Sequence, residues 1–210
     1  AHVANAGVPV VLLDIVPTGD LNRNAVAEGA GARMLKDNPA PFMHRRNARL
    51  IECGNFEDDL DKLADCDWIC EAVIENLEIK HDIYKRVDDV RRAGSIVSSN
   101  TSTIPLAELI RGQSDEFCAD FAVTHFFNPP RYMRLLELVG GAATRPDALA
   151  ALAAFCDVRL GKEVVTAKDT PGFIGNRIGI YWSSTAMSQA IELGLSIEEA
   201  DAIVGQPMGI

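Results

Sequence analysis

Short apolar runs alternate with helix-patterned segments over most of this chain, and that alternation limits the fold more than any other feature. Residues 9–15, 49–54, 68–73 and 95–99 are such runs. Each is too short for a typical helix and reads as a strand, and 9–15 is so nearly continuous in its apolar residues that it reads as one covered on both faces. Between them, 58–64 has helical spacing. Segment 77–92 repeats apolar residues at Leu77, Ile79, Ile83, Tyr84, Val87 and Val90, the pattern of an amphipathic helix, with Gly94 as its stop. A short helix is predicted over 105–110. Strand, helix, strand in succession predicts an α/β fold with a parallel, doubly wound sheet. Residues 121–127 and 135–139 are predicted strands around the Pro129-Pro130 turn. Segment 24–46 interrupts the rhythm and reads as helices broken near Asn38-Pro39-Ala40-Pro41.

A helix over 147–158 and a strand over 162–167 complete the alternation. Asp169-Thr170-Pro171-Gly172 then punctuates the chain, and from Phe173 onward the pattern is helical. Ser196-Ile197-Glu198-Glu199 has the form of a capping box opening a further helix. The expected division is an α/β domain over 1–169 and the start of an all-helical domain over 170–210. The opening residues, up to Gly7, read as the last turns of a helix, and the closing Gln206-Pro207-Met208-Gly209-Ile210 carries no element. Both ends look cut, so the expectation is a fragment whose first strand and glycine-rich turn lie upstream.

The charge balance narrows the partners. Thirty acidic against twenty basic residues give a net charge of −10, which leaves no basic stripe for a nucleic acid. An anionic small ligand would have to be held by local cations or helix N-termini. No apolar stretch is long enough to span a bilayer. The cysteines (53, 66, 70, 118 and 156) are odd in number and lack metal-ligand spacing, so no metal site is expected. They read as reduced, small core residues of an intracellular protein, in the cytoplasm or, in a eukaryote, the mitochondrial matrix.

Candidate chemistry clusters at predicted strand ends. His125 opens His125-Phe126-Phe127-Asn128-Pro129, and Glu137 follows on the returning strand. Histidine takes and returns protons near neutral pH, and a carboxylate on its second nitrogen would fix the tautomer. The plainer alternative is a buried strand histidine and a solvated glutamate. Asp14 ends an apolar strand, where an acidic residue can receive ribose hydroxyls and disfavour a 2′-phosphate, or be an ordinary strand end. The run 98–103, Ser-Ser-Asn-Thr-Ser-Thr, offers donors to a substrate oxygen or caps the next helix. Lys80 is either a solvated helix lysine or a ligand contact. Asn176, among apolar helix neighbours, needs a partner if buried.

These residues together resemble the L-3-hydroxyacyl-CoA dehydrogenase family. The matching motifs are Glu71-Ala72-Val73-Ile74-Glu75-Asn76-Leu77 with Lys80, Ser99-Asn100-Thr101-Ser102, His125-Phe126-Phe127-Asn128-Pro129 with Glu137, and Asp169-Thr170-Pro171-Gly172-Phe173-Ile174 with Asn176-Arg177. They stand in family order at near-family spacing over essentially the whole chain. The resemblance implies a Rossmann-type NAD-binding domain, followed by a helical domain that forms a homodimer. It implies oxidation of 3-hydroxyacyl-CoA to 3-ketoacyl-CoA in fatty-acid β-oxidation. It makes His125 the general base and Glu137 its orienting partner. Ser102, Asn176 and Asn128 become substrate-binding residues, and Asp14, Glu75, Lys80 and Asn100 contact NAD. The turn Pro130-Arg131-Tyr132-Met133-Arg134 is bulkier and more basic than the family's mitochondrial type. Its arginines either meet CoA phosphates or are structural. Two other readings stay open: a dehydrogenase of another 3-hydroxy acid, and a non-catalytic binding or structural relative.

Overall fold

The computed structural model describes residues 1–19 and 22–205, and the closing segment 206–210 lies outside them. The chain divides into two compact units, Ala1–Asp169 and the residues from Thr170 on.

In the first unit, helix α1 (His2–Asn5) precedes strand β1 (Val10–Asp14), helix α2 (Ala25–Met34) and strand β2 (Ile51–Asn55). Strand β3 (Trp68–Glu71), helix α3 (Leu77–Val90) and strand β4 (Ile96–Ser99) follow. Helices α4 (Leu106–Leu109) and α5 (Asp115–Ala119) lead to strands β5 (Phe121–Phe126) and β6 (Leu135–Gly140), then helix α6 (Pro146–Ala154) and strand β7 (Glu163–Ala167). Local chemistry sets the boundaries. The Asn76 side chain accepts from Ile79 N at 3.1 Å and starts α3. Gly94, at φ +79°, takes the left-handed conformation that closes the turn after that helix. Ser114 caps α5 in the same way as Asn76 caps α3.

The strands form two sheets, β1-β2 and β3-β4-β5-β6-β7. Pairing is parallel for β1 with β2 and for β3, β4 and β5 in sequence. It is antiparallel between β5 and β6, then parallel again between β6 and β7. The doubly wound sheet is thus mixed, and its reversal falls where the returning strand was expected after the Pro129-Pro130 turn. The connection from β5 to β6 is too short for a crossover, so β6 must turn back, and β7 follows its direction. Among the described residues, β1 and β3 each have a neighbour on one side only.

Four expectations change. Segment 58–64 is not an α-helix but a 3₁₀ turn at Leu60–Asp65. Of 24–46, only α2 is α-helical, because Pro39 and Pro41 lack the amide that a helix interior needs. The 147–158 helix is α-helical only to Ala154 and then widens into a π turn, Phe155–Arg159. The thiols are all free, but only Cys156 is a buried core residue, and Cys70 is exposed.

The core lies against the five-stranded sheet. Tyr84 from α3, Phe117 from α5 and Phe121 from β5 are fully buried, with ring centroids 5.2–5.5 Å apart. Burying each ring contributes about 2–3 kcal/mol before the cost of ordering it. At the base of this cluster Arg91 and Arg145 both donate to the buried Asp120, at 2.7 and 2.6 Å. On another part of the sheet Leu136, Cys156 and Leu160 pack with Val3, Ala6 and Trp68, which anchors α1.

The second unit contains α7 (Gly175–Glu192) and α8 (Ile197–Val204), the latter opened by a complete Ser196/Glu199 capping box. Neither helix buries a residue. Ile178, Ile180, Tyr181, Met187, Ile191 and Ile197 are all exposed. No helix among the described residues is long and apolar enough to cross a membrane.

Candidate active site

His125 and Glu137 face each other directly across the antiparallel β5/β6 ladder. Side chains so opposed share one face of the sheet, with Cβ atoms about 5 Å apart. An imidazole and a carboxylate therefore meet without strain. His125 Nδ1 lies 2.7 Å from Glu137 Oε2, and both residues are buried. The carboxylate keeps the proton on Nδ1, which leaves Nε2 as the acceptor of the neutral ring. The Phe127 ring stands 4.6 Å from the imidazole centroid and shields one side. The plainer reading of a solvated Glu137 is excluded by its burial.

The loop after β4 lies beside the pair. The amide of Phe126, next to the histidine, donates to Asn100 Oδ1 at 3.0 Å, which ties that loop to β5. Ser98 is internal, bonded to Trp68 Nε1 and Thr124 Oγ1, both at 2.8 Å. Ser99 Oγ donates to Glu71 Oε2 at 2.7 Å. Thr101 Oγ1 donates to Glu75 Oε1 at 2.8 Å and accepts from the amides of Thr103 and Ile104. Most of the hydroxyl run is thus consumed in holding the loop. Ser102, half-buried, is placed by its amide, which donates to Glu75 Oε1 at 2.9 Å. Asn128 is exposed in the β5–β6 turn.

Lys80 is not a solvated helix lysine. It is only 1% exposed, and its ammonium lies 2.8 Å from Glu71 Oε1, 3.3 Å from Glu75 Oε2 and 3.4 Å from Val73 O. Glu71 is satisfied on both oxygens. Oε1 takes Lys80 and Val73 N, while Oε2 takes Tyr84 Oη and Ser99 Oγ. Burial pushes the Glu75 carboxyl upward, but the Ser102 amide, the Thr101 hydroxyl and the Lys80 ammonium together hold it below its ordinary range. A reach from Lys80 to a bound phosphate would require breaking the Glu71 pair. From the sequence Glu71 was only a motif residue and Tyr84 only an apolar helix position, and neither was given a role at the site. The available signal was an acidic residue inside an apolar strand followed nine positions later by a helix lysine.

Asp14 ends β1, half-buried, with Oδ1 accepting from Ile15 N at 2.8 Å. Its second oxygen has no partner among the described residues. A carboxylate at the C-terminal end of a parallel strand, with one oxygen available, fits the vicinal hydroxyls of a dinucleotide ribose. Glu75 and Asn100 follow the ends of β3 and β4, in the five-stranded sheet. Arg131 donates to Ala40 O and Phe42 O at 2.6 and 2.9 Å, so it bridges the β5–β6 turn to the proline-broken segment. Arg134 is largely exposed, 3.8 Å from Glu163. Asn176 stands in the first turn of α7, in the second unit.

Comparison with known proteins adds an independent line. A family model described as "3-hydroxyacyl-CoA dehydrogenase, NAD binding domain" matches residues 1–170. A "Probable 3-hydroxyacyl-CoA dehydrogenase" from Deinococcus radiodurans is 46% identical over 209 residues, covering 100% of this chain and 60% of the relative. A protein of the same description from Bacillus subtilis is 46% identical over 224 residues, covering 100% of this chain and 28% of the relative. The crystal structure of (S)-3-hydroxybutyryl-CoA dehydrogenase from Ralstonia eutropha is similar at TM-score 0.74 and 30% identity, covering 94% of this chain and 69% of that one. The chain therefore spans less than two thirds of the length of either curated relative.

Proposed function

The chain belongs to the 3-hydroxyacyl-CoA dehydrogenase family, and from that premise we propose that the protein containing it oxidises a 3-hydroxyacyl-CoA to the 3-ketoacyl-CoA with NAD, as a step of fatty-acid β-oxidation. The observation that carries the reading is the buried His125–Glu137 pair at 2.7 Å. His125 Nε2 removes the proton of the 3-hydroxyl as the C–O bond becomes a carbonyl. Glu137 stabilises the imidazolium that results and keeps the ring from turning. NAD, when bound, accepts the hydride leaving the carbinol carbon. Ser102, Asn128 and Asn176 hold the substrate's oxygens. Asp14 receives the adenosine ribose, and Glu75 and Asn100 border the rest of the cofactor. Lys80 acts on this assembly through Glu75.

Residues 1–169 serve as the NAD-binding domain. The segment from 170 on opens the helical domain, and the apolar residues exposed on α7 and α8 suit burial in a homodimer. Five free thiols fit a reducing compartment such as the cytoplasm.

The test is NADH absorbance with the full-length protein, acetoacetyl-CoA and longer 3-ketoacyl-CoAs, with acetoacetate as the control lacking CoA. We expect turnover that depends on CoA. His125→Gln should lower kcat by about 10³-fold, with NADH affinity changed little. Absence of turnover with every acyl-CoA, or equal loss of turnover and NADH binding in the variant, would refute the reading.

A further inference from the structure

Lys162 is a buried cation without a buried anion. It is 2% exposed, and among the described residues no carboxylate lies within ion-pair distance. Its ammonium instead donates to the backbone carbonyls of Pro130 and, at 2.7 Å, Met133. It also sits 5.5 Å from the centroid of the Phe126 ring. Burial draws its pKa below the ordinary lysine value.

An uncompensated charge inside a protein is costly, and an apolar residue of similar volume there is often neutral or stabilising. Position matters here. Lys162 stands just before β7, next to the strand that carries Glu137. The carbonyls it gathers belong to the turn that joins the general base to its carboxylate, and the ring it touches belongs to the residue after the base. In the same turn the Pro129 carbonyl already accepts from the amides of Tyr132 and Met133. The ammonium therefore supplies donors to carbonyls that point inward, where water is scarce.

We propose that Lys162 is a positioning residue for the dehydrogenase site. It fixes the β5–β6 turn, and through Phe126 and that turn it fixes His125 against Glu137 and sets the place of Asn128. It acts through other residues and touches neither substrate nor cofactor.

This assignment rests on the dehydrogenase reading, and the experiment separates the two. In the full-length protein, Lys162→Met and Lys162→Arg are compared with wild type at a temperature where circular dichroism shows all three folded. Lys162→Met should lower kcat at least tenfold, with the KM for NAD within about twofold and the melting temperature retained. Lys162→Arg, which keeps charge and donors, should recover most of the loss. In ¹⁵N-histidine-labelled protein without substrate, the Nδ1 proton of His125, assigned by its loss in His125→Gln, should be sharp in wild type and exchange-broadened in Lys162→Met. An unaltered kcat, or an unaltered Nδ1 proton, overturns the proposal. So does a variant whose kcat, NAD KM and melting temperature fall together without recovery in Lys162→Arg. An inactive wild type counts against the dehydrogenase reading alone, because the imidazole signal is read without turnover.

Discussion

Glu137 reaches the imidazole because the two residues occupy one rung of an antiparallel ladder. At the scale of single residues, this pair yields the sharpest expectation. Glu137→Gln keeps the shape and an accepting oxygen but removes the charge. It should lower kcat on the order of 10²–10⁴-fold while leaving NAD binding intact, as steady-state kinetics and NADH fluorescence titration can read. Asp14→Ala should narrow the preference for NAD over NADP, since the carboxylate no longer repels a 2′-phosphate; an unchanged ratio of kcat/KM values contradicts that role. The pairing of His125 with Glu137 was legible in the sequence, because a short turn between two apolar runs leaves them little freedom. The fate of Lys80 was not. A lysine at helical spacing reads as solvated, and only the position of Glu71 on a neighbouring strand draws it inside. Ser98 and Ser99 likewise read as donors to a ligand until Trp68, Thr124 and Glu71 are seen to occupy them.

Among the elements, the strands were readable as apolar runs and α3 as an amphipathic repeat with a polar cap and a glycine stop. The 3₁₀ turn at Leu60–Asp65 and the π turn at Phe155–Arg159 were not, because both share the side-chain pattern of an α-helix and differ only in backbone bonding. The reversal of β6 and β7 follows from a connection length rather than from any residue. Asp120 fastens three elements, accepting from Arg91 after α3 and Arg145 before α6 while it closes α5. Burial pushes its carboxyl upward, but the two guanidiniums hold it below the usual range. The stability it contributes is therefore full above the unfolded carboxylate value near ~3.9 and is lost as pH falls below that. Asp120→Asn removes one of the two carboxylates paired with the buried Arg91, leaving Asp88, and should cost about 1.5–3 kcal/mol in urea unfolding at pH 7. The difference from wild type should shrink in acid.

The first unit as a whole is closed by contacts between its two ends. His2 Nε2 donates to Leu160 O at 3.1 Å, and Arg159 donates to Ala6 O at 3.1 Å. The other ring nitrogen of His2 is buried without a partner among the described residues. Burial first, then the Lys162 charge, draws the His2 pKa down to about 4. A histidine held neutral in this way contributes stability that is full above the unfolded value near ~6.5 and declines as pH falls toward 4. His2→Gln should therefore flatten the drop in melting temperature between those pH values, and a profile parallel to wild type would contradict it. The order of the larger sheet has a consequence of another kind. β5 is the middle strand of five, with two more on either flank. Its amides should trade hydrogen for deuterium more slowly than those of β3 and β7, which among the described residues are the outer strands of that sheet. The His125–Glu137 pair would then lie in the part of the domain that opens last, so partial opening at the periphery should leave it assembled.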